Sequence, residues 1–299
     1  MDYSQKIIEN TRVILNSLEC PRRREVFIGT ALCWAACAGN LAEIECLLQH
    51  GAKLQTNDYR AFFLAADTGY LPAVELLLQH GADLHSESDQ ALRCAALHGH
   101  LETVEYLLKL GANLHAMDDE SLRKAAENGH LSVVECLLER GADIHAVDDY
   151  ALRWAAKGGH LAVVQSLLRH GANIHAKKDE ALLWAVENRH LSVVEHLLER
   201  GADPQLISKR TFRRLLNRRN ENLIKLLLLY DLQLERETPF FISLLLKIKF
   251  DRESLNFVKK NKLFALYKRD IFTKVVRLLF HLYYRPGSPA YYRAVKYPI

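Results

Sequence analysis

Apolar positions along residues 30–203 recur with helical spacing, and the spacing itself repeats. In the stretch DYALRWAAKGGHLAVVQSLLRHGANI, residues 149–174, Leu152, Ala155 and Ala156 share one face of a segment over 151–157. Val164, Leu167 and Leu168 share one face of a second segment over 161–170. This spacing predicts two short antiparallel helices. Asp149 stands where an N-cap acceptor is wanted, and Gly159 and Gly171 stand where each helix must end left-handed. The closing Gly-Ala recurs at Gly51, Gly81, Gly111, Gly141, Gly171 and Gly201, every 30 residues, which predicts a stacked repeat array. One hairpin cannot stand alone. Ordering it costs about 1–2 kcal/mol per residue, more than a handful of buried Leu and Val at about 1.5–3 kcal/mol each can offset. The units must therefore stack on one another.

Six first helices are expected to begin near Thr30, Arg60, Gln90, Glu120, Tyr150 and Glu180. Ahead of them, residues 4–18 predict a helix covering the exposed end of the array, stopped by Pro21, with Arg22, Arg23 and Arg24 in a solvated connector. Arg189 replaces the turn glycine of the other copies, at a cost of about 1 kcal/mol if that position needs positive φ. A seventh copy continues the period through Phe212, Leu215, Leu216, Leu223, Ile224, Leu227 and Leu228. Residues 239–250 and 254–260 read as a divergent eighth pair, and 270–284 as a last helix. Three regions are thus expected: 1–29, an N-terminal capping helix; 30–203, six repeats; 204–299, divergent repeats and a basic helical cap.

The segments ALRWAA, GHLAVV, LL and GANI resemble the ankyrin repeat across residues 30–203. The copies are three residues shorter than the common form and lack its Gly and Thr-Pro. The resemblance implies an all-α, right-handed solenoid of stacked helix-turn-helix units with shortened hairpin fingers and a helical C-terminal extension. It also implies a protein partner held on the concave face. Carried over position by position, the finger residues of that face are Glu87, Met117, Glu120, Val147, Tyr150, Lys177 and Glu180. The first-helix residues are Leu97, His98, Glu127, Asn128, Lys157 and Glu187. Short repeats of this kind are similar to paralogous sets in giant DNA viruses and intracellular bacteria, which implies a role in host interaction.

Eight of the fourteen histidines occupy two repeat positions, His100, His130, His160 and His190, and His85, His115, His145 and His175. Copies stacked about 10 Å apart cannot share a coordination sphere with bonds of about 2 Å, so no metal site is expected. The first set is expected to anchor the turn between helices, and the second to fasten the finger through backbone hydrogen bonds. Arg93, Arg123 and Arg153 each follow an Asp by four residues, a spacing that predicts helix-start ion pairs. Trp34, Trp154 and Trp184 share a register suited to contact between repeats. No phosphate-binding, dinucleotide, metalloprotease or nucleophile-elbow motif is present, so no enzymatic activity and no cofactor are expected. Six cysteines without a C-x-x-C, and a start without a basic-then-apolar leader, read as reduced thiols of an intracellular, cytoplasmic or nuclear monomer. No apolar run reaches the roughly 18 residues of a membrane span.

Charge divides the chain. Residues 30–203 carry 14 basic and 25 acidic side chains, a net of −11, whereas 204–299 carry 21 and 7, a net of +14. Arg213, Arg214, Arg218 and Arg219 crowd the seventh copy, and Tyr283, Tyr284, Tyr291, Tyr292 and Tyr297 alternate with basic residues near the end. Basic residues among aromatics suit phosphate contacts and base stacking, so an alternative function is binding of nucleic acid or another anionic surface through this region. On that reading the full chain binds single-stranded nucleic acid with an affinity that falls by orders of magnitude between about 50 and 200 mM salt. Changing Arg213, Arg214, Arg218 and Arg219 to Glu then abolishes binding and spares the fold of 30–203. If the changes lower thermal stability instead and the parent chain does not bind, the tail is an internal cap.

Overall fold

A computed structural model describes residues 3–17, 20–54, 60–208, 211, 223 and 226–227. The chain divides into two compact units, Met1–Leu206 and Ile207–Ile299, and nearly all described residues belong to the first. The seventh copy, the divergent eighth pair, the last helix and the four crowded arginines lie outside the described residues, apart from Leu223 and Leu227, which are buried, and Leu226, which is half-buried.

Thirteen α-helices, a short 3-10 turn (Pro204–Leu206) and no strand are found among the described residues. After α1 (Tyr3–Ser17) they form six antiparallel pairs: α2 (Pro21–Ala38) with α3 (Leu41–Gln49), α4 (Arg60–Thr68) with α5 (Leu71–Gln79), and α6 (Ser86–His98) with α7 (Leu101–Lys109). Then come α8 (Ala116–Asn128) with α9 (Leu131–Glu139), α10 (Ala146–Gly158) with α11 (Leu161–Arg169), and α12 (Glu180–Asn188) with α13 (Leu191–Glu199). Each first helix packs on its own second helix and closely on the first helices before and after it, while second helices touch one another sparsely. The first helices therefore form the tighter, inner side of the stack. The alanine pairs explain the closeness: Ala95, Ala96, Ala125, Ala126, Ala155 and Ala156 are completely buried.

The start of the array differs from expectation. Pro21 opens a helix rather than only ending one, since its fixed φ and missing N–H cost nothing at a first helical position. α2 consequently runs through the expected junction at 29/30, and Arg22, Arg23 and Arg24 sit on its first turn. The second-helix core also shifts by one residue. Leu167 is fully buried, whereas Leu168, read from the spacing as core, is only half-buried.

The connection between pairs holds the main correction. Asp149 caps no helix N–H. It is the third of three consecutive left-handed residues, Val147, Asp148 and Asp149, with φ of 54°, 57° and 53°. The same turn recurs at residues 87–89, 117–119 and 177–179. This tight turn replaces the hairpin finger and takes up the missing residues. Its aspartate points into the stack, 5% exposed at Asp149, and accepts the backbone N–H of Asn173 in the next copy at 2.7 Å. Asp89 and Asp119 accept from Asn113 at 2.8 Å and Asp143 at 2.9 Å, and Asp179 accepts from Asp203. A second bond to the same carboxylate comes from the histidines expected to bond backbone: the Nδ1–H of His145 donates to Asp149 at 3.0 Å, and His85, His115 and His175 repeat the bond. Their reach is set by the i, i+4 spacing across the turn, which brings the imidazole to the carboxylate.

The first histidine set crosses between copies rather than merely bracing its own turn. The Nε2–H of His160 donates to the carbonyl of Glu127 at 3.0 Å, in the last turn of α8. His100, His130 and His190 do the same for Asp67, Leu97 and Lys157. Each satisfies a helix-end carbonyl that has no partner within its own helix. The ring lies against the preceding turn glycine, and a Cβ on Gly129 would overlap that of His160. Arg189 does adopt the left-handed conformation, φ 66°, at the position where the other copies carry glycine.

Two variants separate core from clamp. Leu167→Ala is expected to cost about 2–5 kcal/mol by chemical denaturation, and Leu168→Ala clearly less. Asp149→Ala is expected to cost about 1–3 kcal/mol, because it removes the acceptor of the Asn173 N–H and of His145. Equal losses for Leu167→Ala and Leu168→Ala would contradict the packing described.

Candidate interaction face

On each first helix, Leu152, Ala155, Ala156 and their equivalents face the stack, which leaves positions such as 150, 154, 157 and 158 on the free inner side. The arginine ladder lies along this side, but not as helix-start pairs with aspartate. Arg153 donates Nε–H to the Asp148 carbonyl at 2.9 Å and Nη2–H to the Val147 carbonyl at 2.8 Å. Its Nη1–H goes to Glu180 of the next copy. Arg93 does the same with Ser88, Glu87 and Glu120. A guanidinium suits this task because its donors form a fixed planar fork. The aspartates are already committed to the clamp, so the arginines take the turn carbonyls.

Arg123 keeps the backbone bonds, to Asp118 at 2.9 Å and Met117 at 2.6 Å, but meets Tyr150 where its neighbours meet a glutamate. Its guanidinium carbon lies 5.1 Å from the Tyr150 ring centre. Tyr150 stacks on Trp154, centroids 5.0 Å apart and planes 18° apart, and Trp154 meets Trp184 edge-on at 5.4 Å. The Lys157 ammonium stands 3.6 Å from the Trp154 centroid and 5.3 Å from that of Trp184. Spacing explains the assembly: Tyr150 and Trp154 are i, i+4, Trp154 and Lys157 are i, i+3, and Trp154 and Trp184 are one period apart. Cation–π attraction of this kind contributes about 0.5–1 kcal/mol per contact where the pair is exposed. Burial, followed by the Glu127 charge, pushes the Tyr150 phenol above its ordinary pKa of 10.0. The hydrogen bond from Lys124 to Glu127, 3.0 Å, holds the Lys124 ammonium above its ordinary value.

The expected partner-binding residues separate into groups. Tyr150 and Lys157 come together in this aromatic cluster. Glu87, Met117, Val147 and Lys177 line the exposed edge of the turns, with Met117 57% exposed. Glu120, Glu180 and Glu127 are engaged by Arg93, Arg153 and Lys124. His98 pairs with Asp67 at 3.0 Å, Leu97 is half-buried, and Asn128 and Glu187 are exposed. Trp154, Trp184 and Arg123 were missing from the residues inferred from the sequence, although their shared register and the i, i+4 spacing to Tyr150 would have found them. Trp34, in the same register, is 72% exposed.

The profile described as Ankyrin repeats (3 copies) matches residues 9–88, 32–118, 85–148 and 122–208. The chain belongs to the ankyrin-repeat family. No curated protein matches it. Ankyrin repeats generally mediate protein–protein interactions and are typically non-enzymatic.

Among the described residues no group of three or more His, Cys, Asp or Glu is disposed to hold a metal ion, and no helix is long and apolar enough to cross a membrane. Cys94 is a poor nucleophile at neutral pH, since burial, reinforced by Asp67, pushes its thiol to about 11. The raised Tyr150 pKa gives a signed prediction. A group whose folded pKa lies above its unfolded value contributes stability that is full below the unfolded value and lost as pH rises through the folded one. Thermal melts above pH 10 should therefore show a shallower alkaline loss for Tyr150→Phe than for the parent chain.

Proposed function

We propose that this ankyrin protein is a non-enzymatic scaffold that holds a protein partner on the inner, first-helix side of its array, in a host-interaction role. The observation that carries the reading is the cluster of Tyr150, Trp154 and Trp184, half-exposed on the free side of neighbouring first helices. Large aromatics spend little conformational entropy on ordering and dominate binding energies at interfaces. The outer row of second helices offers charged and polar tips such as Gln165, Arg169 and Glu199 instead. The alternative, an anion reader in residues 204–299, rests on their +14 charge and on the tyrosines interleaved with their basic residues.

A photoreactive residue placed at Asn188, the exposed inner-side equivalent of Gly158 one copy on, or at Ala162 on the outer side, tests the reading in cells expressing the full chain. Protein adducts are expected from position 188, with those from 162 several-fold fewer. Adducts that form equally at both positions, or predominantly to nucleic acid, would refute it.

A further inference from the structure

Positions 90, 120, 150 and 180 form one column, occupied by Gln90, Glu120, Tyr150 and Glu180. Each of the last three receives the arginine 27 residues earlier. Glu120 and Glu180 neutralise Arg93 and Arg153. Tyr150 gives Arg123 a ring face but no negative charge, and among the described residues no carboxylate pairs with Arg123. Lys157, at the far end of the Tyr150–Trp154 stack, likewise has ring partners and no carboxylate. Two cations are thus left without counter-charge at either end of a half-exposed aromatic platform, in a region whose net charge is −11.

Building on the proposed inner-face interaction, we infer that the Tyr150–Trp154–Trp184 platform takes a peptide segment of the partner bearing a glutamate or aspartate beside an apolar residue. The peptide carboxylate supplies to Arg123, at the Tyr150 end, what Glu120 supplies to Arg93. The apolar neighbour covers the indole faces, and the desolvation strengthens the charge contact. A polyanion fits less well, because the array around the platform is itself acidic, with a net charge of −11.

The test uses the full chain and dodecapeptides selected against it by phage display. Each selected peptide is resynthesised with its acidic residue as Glu, as Gln and as phosphoserine, and a single-stranded oligonucleotide serves as a further probe. The Glu form is expected to bind about tenfold more tightly than the Gln form, a charge-assisted bond against a neutral one. In Tyr150→Glu, which places a carboxylate on Arg123 as in the neighbouring copies, the Glu-to-Gln ratio should fall toward about one, and in Lys157→Met it should stay near that of the parent chain, both with the melting temperature retained. Trp154→Ala should abolish binding of both forms. Equal binding of Glu and Gln peptides to the parent chain, a preference for phosphoserine or oligonucleotide, or a library without any binder overturns the carboxylate inference. If peptides bind the platform without acidic preference, the inner-face reading survives. Binding untouched by Trp154→Ala removes that reading too.

Discussion

The buried aspartate of each turn is the constraint on which the stack depends. Three consecutive left-handed residues that are not glycine cost about 1–2 kcal/mol each, and Val147, branched at Cβ, is among the least suited to that region. Bonds that cross the turn offset this cost. The Asp149 carboxylate gathers an imidazole from its own copy and a backbone N–H from the next, while the Arg153 fork takes up the Val147 and Asp148 carbonyls. Half of the aspartate's partners belong to a neighbour, so the strained turn and the adhesion between copies are one property. That is the nearest-neighbour coupling a linear array requires.

The two histidine sets divide the remaining polar work, and their partners fix opposite tautomers. His145 must carry its proton on Nδ1 to meet a carboxylate, and His160 on Nε2 to meet a carbonyl. One set stiffens the turn. The other closes the helix ends of the copy before it, where carbonyls would otherwise be unpaired in a crowded groove. Apolar burial by Leu167, Val163 and Val164 supplies the bulk of the attraction, and these polar bonds set the register in which it acts.

The interaction face follows from the same scaffold. Because each arginine is anchored to the turn behind it, the residue 27 positions ahead is held against its guanidinium whatever that residue is. With glutamate the column is a closed ion pair. With Tyr150 it becomes an aromatic shelf that Trp154, Trp184 and Lys157 extend across two copies. A single exchange in a repeating column therefore turns structural surface into surface suited to recognition. The repeat tolerates this exchange because the arginine's backbone bonds, which hold the turn, do not involve that position.

The 30-residue period, the helix pairs and the buried alanine and leucine positions were legible in the sequence, because helical spacing of apolar residues reports directly which side is buried. The glycine positions were legible too, since a left-handed helix end penalises a Cβ. Four features were decided only by tertiary packing. Asp149 reads as a cap from its place before a helix, but its nearest donor, the Asn173 N–H, lies 24 residues on in the next copy. Arg153 reads as a partner of Asp149, but its donors go to the Asp148 and Val147 carbonyls and to Glu180 of the next copy. Leu168 reads as core on a helical wheel beside Leu167, yet in the stack Leu167 is fully buried and Leu168 only partly. Trp154 and Trp184 read as contacts between repeats and Tyr150 as a finger residue, and only the distance between neighbouring first helices makes them one surface. Local pattern fixes what a residue can offer, and the spacing between copies fixes which partner is in reach.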